Sequence, residues 1–206
     1  GDLTSGLVVV HSKMGVTPWQ IKAKVNPAMT NASLTKGFSL NKAGIMNVNL
    51  DYAKAWGDPR QKTRSYDRYT FNLGYSYDLN KHWHTETKLR FLSSQDWSGN
   101  DPDAIQDGTE TKNKTVTVGL THNGRLSVDK LFMRSLNYTL GLSYGGTDNV
   151  QTSFVPVSTG LLPILTSRET GYFNVPWMTQ SYKATGRTES RPGNLFAKIN
   201  DSFYFK

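Results

Sequence analysis

Along much of the chain apolar and polar residues alternate one for one. Met46, Val48, Leu50 and Tyr52 alternate with Asn47, Asn49 and Asp51. Tyr69, Phe71, Leu73, Tyr75, Tyr77 and Leu79 alternate with Thr70, Asn72, Gly74, Ser76 and Asp78. The rhythm returns at Val116, Val118 and Leu120, and at Leu136, Tyr138, Leu140, Leu142 and Tyr144. Successive side chains of an extended strand point to opposite faces, so each run predicts a strand with one apolar and one polar face. Shorter runs predict four more strands, from Trp19 to Val25, Leu34 to Leu40, Trp83 to Leu92 and Leu195 to Phe205. Several of these runs reach the roughly nine to eleven residues that a tilted strand needs to cross a bilayer.

The connections are sorted by length. Tight ones are expected at 41–44, at 80–82 and at Asn123-Gly124 with a few residues after it; wider ones at 27–31, 57–66, 94–112 and 145–193. Short turns at one end and long loops at the other mark outer-membrane barrels, whereas a Greek-key sandwich has no reason to sort its loops by parity. The last loop, about fifty residues with Pro156, Pro163, Pro176 and Pro192, is long enough to expect a function of its own. Tyr52, Trp56, Tyr75, Tyr77 and Trp83 stand near strand ends, where an aromatic girdle would lie. Two alternatives stay open on pattern alone: a self-contained eight-stranded barrel, and a soluble carbohydrate-binding β-sandwich.

Composition favours the membrane reading. Only 36% of the 206 residues are hydrophobic while 12% are aromatic, too little aliphatic content for an ordinary soluble core of this size. No run of about eighteen apolar residues occurs, which excludes a membrane-spanning helix and leaves spanning strands untouched. There is no cysteine, so disulfides, thiol catalysis and cysteine metal sites are excluded. The net charge of +8 is scattered, with one loose group at Arg60, Lys62, Arg64 and Arg68, and no nucleic-acid motif accompanies it. The phosphates of an anionic membrane leaflet are the better partner for such a surface. The chain opens at Gly1 without an initiator Met or apolar leader, as expected after removal of a signal peptide or in a piece of a longer polypeptide.

Catalytic chemistry has little to stand on, and no enzyme is expected. No G-x-S-x-G elbow, P-loop or dinucleotide fingerprint appears. His82 and His84 share a strand face but lack a third metal ligand nearby, which makes a polar turn the better account. Asp101, Asp103 and Asp107 precede Gly108 in an expected outer loop; their spacing departs from an EF-hand, so calcium is a minor alternative and no cofactor is expected. Ligand-binding candidates are the loop aromatics Trp97, Phe154, Tyr172, Phe173, Trp177 and Tyr182, with Asp101 and Asp103 beside them. Flat aromatic faces near carboxylates and amides suit sugar or peptide capture, and suit packing the loop against a neighbour slightly better.

The opening Asp2-Leu-Thr-Ser-Gly-Leu-Val-Val-Val-His-Ser-Lys-Met-Gly15 resembles the end of the plug domain of TonB-dependent outer-membrane transporters. Lys36-Gly-Phe-Ser-Leu40, Asn47 to Tyr52, Asp58-Pro-Arg60 and Tyr66-Asp-Arg68-Tyr resemble the early barrel of the SusC-like subgroup, and Asp101-Pro-Asp103 and Arg191-Pro-Gly193 fit more loosely. The resemblance implies residues 1–15 as the end of a plug and 16–206 as the first part of a barrel of the twenty-two-stranded class, with long outer loops at 57–66, 94–112 and 145–193. It implies an antiparallel transmembrane β-barrel segment of about eight strands, located in the outer membrane of a Gram-negative bacterium. Import of an oligosaccharide or peptide would be driven by the TonB complex, which engages a part of the family's chain not present here. The further partners it implies are a SusD-like surface lipoprotein, outer-membrane lipid and lipopolysaccharide, and no nucleic acid.

Overall fold

The computed structural model describes residues 15–58, 60, 63–100, 108–130, 133–156, 161–163, 172–174 and 181–203. The expected plug segment before Gly15 lies outside them. The fold is all-β. Seven strands follow one another as an antiparallel meander: β1 (Thr17–Asn26), β2 (Met29–Ser39), β3 (Ile45–Trp56), β4 (Arg64–Asn80), β5 (Trp83–Ser98), β6 (Glu110–Lys130) and β7 (Met133–Pro156). After a separate pair of three-residue strands, β8 (Leu161–Pro163) and β9 (Tyr172–Asn174), come β10 (Ser181–Ser190) and β11 (Gly193–Phe203). Both of the last strands pair with the same edge of β7, β10 along its later half and β11 along its earlier half. They form one long strand interrupted at Arg191 and Pro192, where proline has no N–H for the ladder and the Gly145 amide donates to the Pro192 carbonyl instead (2.8 Å).

The registers carry the period-two pattern across the whole sheet. One apolar row runs Ile21, Leu34, Leu50, Phe71, Phe91, Val118 and Tyr144 from β1 to β7. The next runs Val48, Leu73, Leu89, Leu120, Leu142 and Leu195 from β3 to β11. On the opposite face the interleaved row is Thr35, Asn49, Asn72, Arg90, Gly119, Ser143 and Asn194. A slip of one residue in any strand would turn its apolar set to the wrong face, which is what pins the register.

The apolar band is slanted. On β1 it occupies Trp19 to Val25, but the row through Val25 reaches Lys54, Asp67, Gln95, Lys114 and Asp148 on later strands. On β7 it has moved to Leu136–Tyr144, and the row through Leu136 ends at Leu126 and Trp83. The band therefore slides several residues toward the tight-turn end between β1 and β11. Among the described residues nothing packs over it. Ala53 is the one buried hydrophobic residue among those described, while Leu140 is 49% and Leu142 53% exposed. A sandwich would cover this face with a second sheet; the other sheet described is the β8–β9 pair.

Local chemistry explains most of the turns. Asn26 and Asn80 each accept the amide of the residue two further on, Ala28 at 3.0 Å and His82 at 2.9 Å, closing the two-residue turns after β1 and β4. Between β2 and β3 a 3₁₀ turn, Asn41–Ala43, ends at Gly44, whose φ of 98° and contact with the Ser76 carbonyl exclude a side chain.

Three expectations are corrected. Asn123-Gly124 is no turn but lies inside β6, opposite Thr139 and Tyr138. Gly124 is there for space: a Cβ would strike the Tyr138 ring, which lies over it. The wide connection at 27–31 shrinks to two residues, because Met29 to Asn31 belong to β2. The long loops at 57–66, 94–112 and 145–193 are shorter than expected, since β4 to β7 and β10 extend into them. Ladder pairing from Asp148 with Glu189 to Pro156 with Ser181 continues the sheet beyond the apolar band.

Candidate functional site

The candidates of the sequence do not form one cluster. Trp97, near the end of β5, donates from Nε1 to Glu110 Oε1 at 3.0 Å, and its ring covers Gly99. The same bond, aided by Lys112, holds the Glu110 carboxyl below the usual carboxylate range. Register places Trp97 in a row with Ser65 and Trp56, so two indoles flank one small residue beside a hollow of about 380 Å³. Trp56 was readable only as a girdle residue; its pairing with Trp97 needed the register.

Phe154 on β7 stands opposite Lys183, whereas Tyr182 on β10 stands opposite Val155 and therefore on the other face. Tyr172 and Phe173 belong to β9 and pair by backbone with Pro163 and Leu162 of β8, in a two-stranded sheet of their own. Asp101, Asp103 and Trp177 lie outside the described residues. His82 falls in the turn after β4 and His84 near the start of β5, with Nδ1 2.6 Å from Asp78 Oδ1 in an exposed position.

What the structure brings together instead is the polar face of β2 to β6. Its middle forms a concavity of about 580 Å³ whose lining includes Asn47, Asn49, Asn72, Lys88, Arg90 and Thr121. Lys88 is paired with Glu86 at 3.0 Å. Arg90 has no ion-pair or hydrogen-bond partner among the described residues, and the buried Asn49 Oδ1 has no donor there. Asn47 spends its carboxamide on the backbone of Gly15: the Gly15 amide donates to Oδ1 (3.2 Å) and Nδ2 donates to the Gly15 carbonyl (2.8 Å). The chain thus enters β1 from the polar face. These residues were visible as the polar partners of alternating strands, but nothing in the one-dimensional pattern placed Asn49 beside Asn72 and Arg90.

Beyond the band, at the long-loop end, a charged network ties β10 to β7. The Arg187 guanidinium donates from Nε and Nη2 to the two oxygens of Asp148 (2.9 and 2.7 Å) and is 2.7 Å from Glu189 Oε1. Arg191 donates to the Thr147 carbonyl and to Glu189. Its bond to Arg187 keeps Asp148 below the usual carboxylate range, and Asp148 raises Arg187 in turn. Compared with family models, with curated proteins and with solved structures, the chain matches none.

Proposed function

We propose that this sheet is a sector of an outer-membrane β-barrel wall, with its apolar face on lipid and its polar face on the lumen. The observation that carries the reading is the slanted apolar band, continuous over successive strands and uncovered. Strands of a closed barrel are tilted by about 35–45° to the membrane normal, so a level hydrocarbon layer meets each successive strand at a shifted register. In water the same face would be a contiguous apolar patch far beyond what a soluble monomer tolerates. The row of Lys54, Asp67, Lys114 and Asp148 above the band suits the headgroup and lipopolysaccharide layer.

Within that frame, the resemblance to SusC-like transporters gives the activity: TonB-driven import of a large nutrient, oligosaccharide or peptide, beneath a SusD-like surface lipoprotein. The overshooting ends of β4 to β7 and β10 would then stand outside the cell. The test uses bimane on a single cysteine, which the cysteine-free chain permits. In brominated-lipid vesicles bimane at Leu120→Cys is quenched and at Thr121→Cys is not. Uptake of labelled nutrient by cells carrying the protein stops when the proton-motive force is collapsed. Equal quenching at the two positions sinks the barrel, and uncoupler-resistant uptake sinks the TonB assignment.

A further inference from the structure

We infer that the polar concavity binds an extended acidic peptide, its backbone taken by Asn49 and Asn72 and a carboxylate by Arg90. This rests on the barrel reading above and narrows its substrate class to peptide. The face already demonstrates the recognition mode: the Asn47 carboxamide exchanges two hydrogen bonds with the Gly15 peptide, donor to carbonyl and acceptor to amide. Paired strands exchange the same two bonds. Two residues along β3, Asn49 presents its side chain to the same face, and its buried Oδ1 has no N–H donor among the described residues. An acceptor left in that condition is costly until a donor arrives.

Asn72 is the register partner of Asn49, and Arg90 that of Asn72. Strands lie about 4.8 Å apart, so Arg90 stands roughly 10 Å from Asn49, the length of about three residues of extended chain. Lys88 is paired with Glu86, which leaves Arg90 as the cation of the lining without a partner among the described residues. Past it, the space where a Gly119 side chain would stand is open, so a ligand can approach the bare backbone. Among the described residues no aromatic lines the concavity, so they offer a sugar ring no face to stack on. Amide forks that mimic backbone, with one cation at a fixed offset, select an extended chain carrying a carboxylate.

The experiment titrates the full-length protein, purified in detergent, into fluorescein-labelled (Gly-Glu)₄ and follows anisotropy. The expected result is saturable binding, weakened about tenfold or more by Arg90→Gln and several-fold by Asn49→Leu, and partly kept by Arg90→Lys. Lys42→Gln, in the turn after β2, leaves it unchanged. Equal binding of (Gly-Gln)₄, or displacement by tetragalacturonate as readily as by unlabelled peptide, overturns the inference. If Arg90→Gln fails to assemble, the comparison of (Gly-Glu)₄ with (Gly-Gln)₄ on the unaltered protein decides it alone. The bimane pattern at Leu120 and Thr121 reports independently on the barrel, so failure of one reading is not mistaken for failure of the other.

Discussion

Replacing Leu140 with arginine tests the membrane face directly. Leu140 occupies the centre of the apolar run on β7, which extends from Leu136 to Tyr144. At about 3.4 Å per residue, each end of the run is roughly 14 Å away along the strand. A tilt near 45° brings that to about 10 Å of depth, too far for the guanidinium to reach the headgroups without disturbing the layer. The side chain is 49% exposed, and its register partners are Ala197 and His122, whose two ring nitrogens are already taken by Thr87 and Tyr138. Arginine at the midplane of a barrel's lipid face costs about 2–4 kcal/mol. That is roughly a 30- to 700-fold shift in the folding equilibrium. Thr139, the adjacent residue, faces the opposite way beside Asn123 and Lys198, and arginine there should cost within about 0.5 kcal/mol, the usual range for a surface site. The assay is the denaturant dependence of the heat-modifiable folded species, measured for Leu140→Arg and Thr139→Arg in vesicles of one composition. Equal tolerance at the two sites, or a larger loss at Thr139, would refute the assignment of faces.

Gly124→Val should displace the Tyr138 ring and cost about 1–3 kcal/mol by denaturant titration. Tyr138→Ala should recover most of that loss in a double-mutant cycle, and purely additive losses would show that the ring is not the obstacle. The Asp148–Arg187 clamp should depend on pH in one direction. Because Asp148 is depressed in the folded chain, its contribution is present above the ordinary carboxylate range near pH 4 and is lost as pH falls through the lower folded value. Amide exchange should therefore quicken in β10 before β11 on acidification, and simultaneous loosening of the two would count against the clamp. On intact cells an impermeant maleimide should modify Lys183→Cys and reach Lys81→Cys only after the outer membrane is opened; the reverse order would invert the topology.

The strands were legible where one face is apolar and the other polar, as at Tyr69 to Leu79 and Leu136 to Tyr144. They faded where both faces are polar. In β7 beyond Tyr144, Asp148, Val150 and Thr152 alternate with Asn149, Gln151 and Ser153, and β10 answers with Lys183, Thr185 and Arg187. Such segments carry no hydrophobic periodicity, because pairing with a neighbour rather than burial holds them in the sheet. Asn123-Gly124 misled for a related reason. The dipeptide is a strong turn signal in isolation, yet its glycine answers to Tyr138, a residue fourteen positions away. The site suffered most from this limit. Loop aromatics stand out in a sequence, whereas Asn49, Asn72 and Arg90 sit on three strands and meet only through register.

The sheet also predicts its own insufficiency. β1 is paired only with β2, and β10 and β11 only with β7, so the described strands leave two open edges. On an edge, alternate residues turn both N–H and C=O outward, which gives about ten unpaired backbone groups along β1 and a similar number along β11. In hydrocarbon each such group costs several kcal/mol. Two edges together therefore cost tens of kcal/mol, more than the 5–15 kcal/mol of net stability typical of a folded domain. Water is no refuge, because Ile21 and Leu195 at the two margins are 78% and 79% exposed. On the proposed large-barrel reading, further strands pair with these edges. Expressed alone and refolded in detergent, the 206-residue segment should give no monomeric heat-modifiable species, and the amides of β1 and β11 should exchange far faster than those of β4 to β6. A monomer with both terminal strands protected would mean that β1 and β11 pair with each other. The sheet would then close on itself as a small self-contained barrel, and the large-transporter reading would fall.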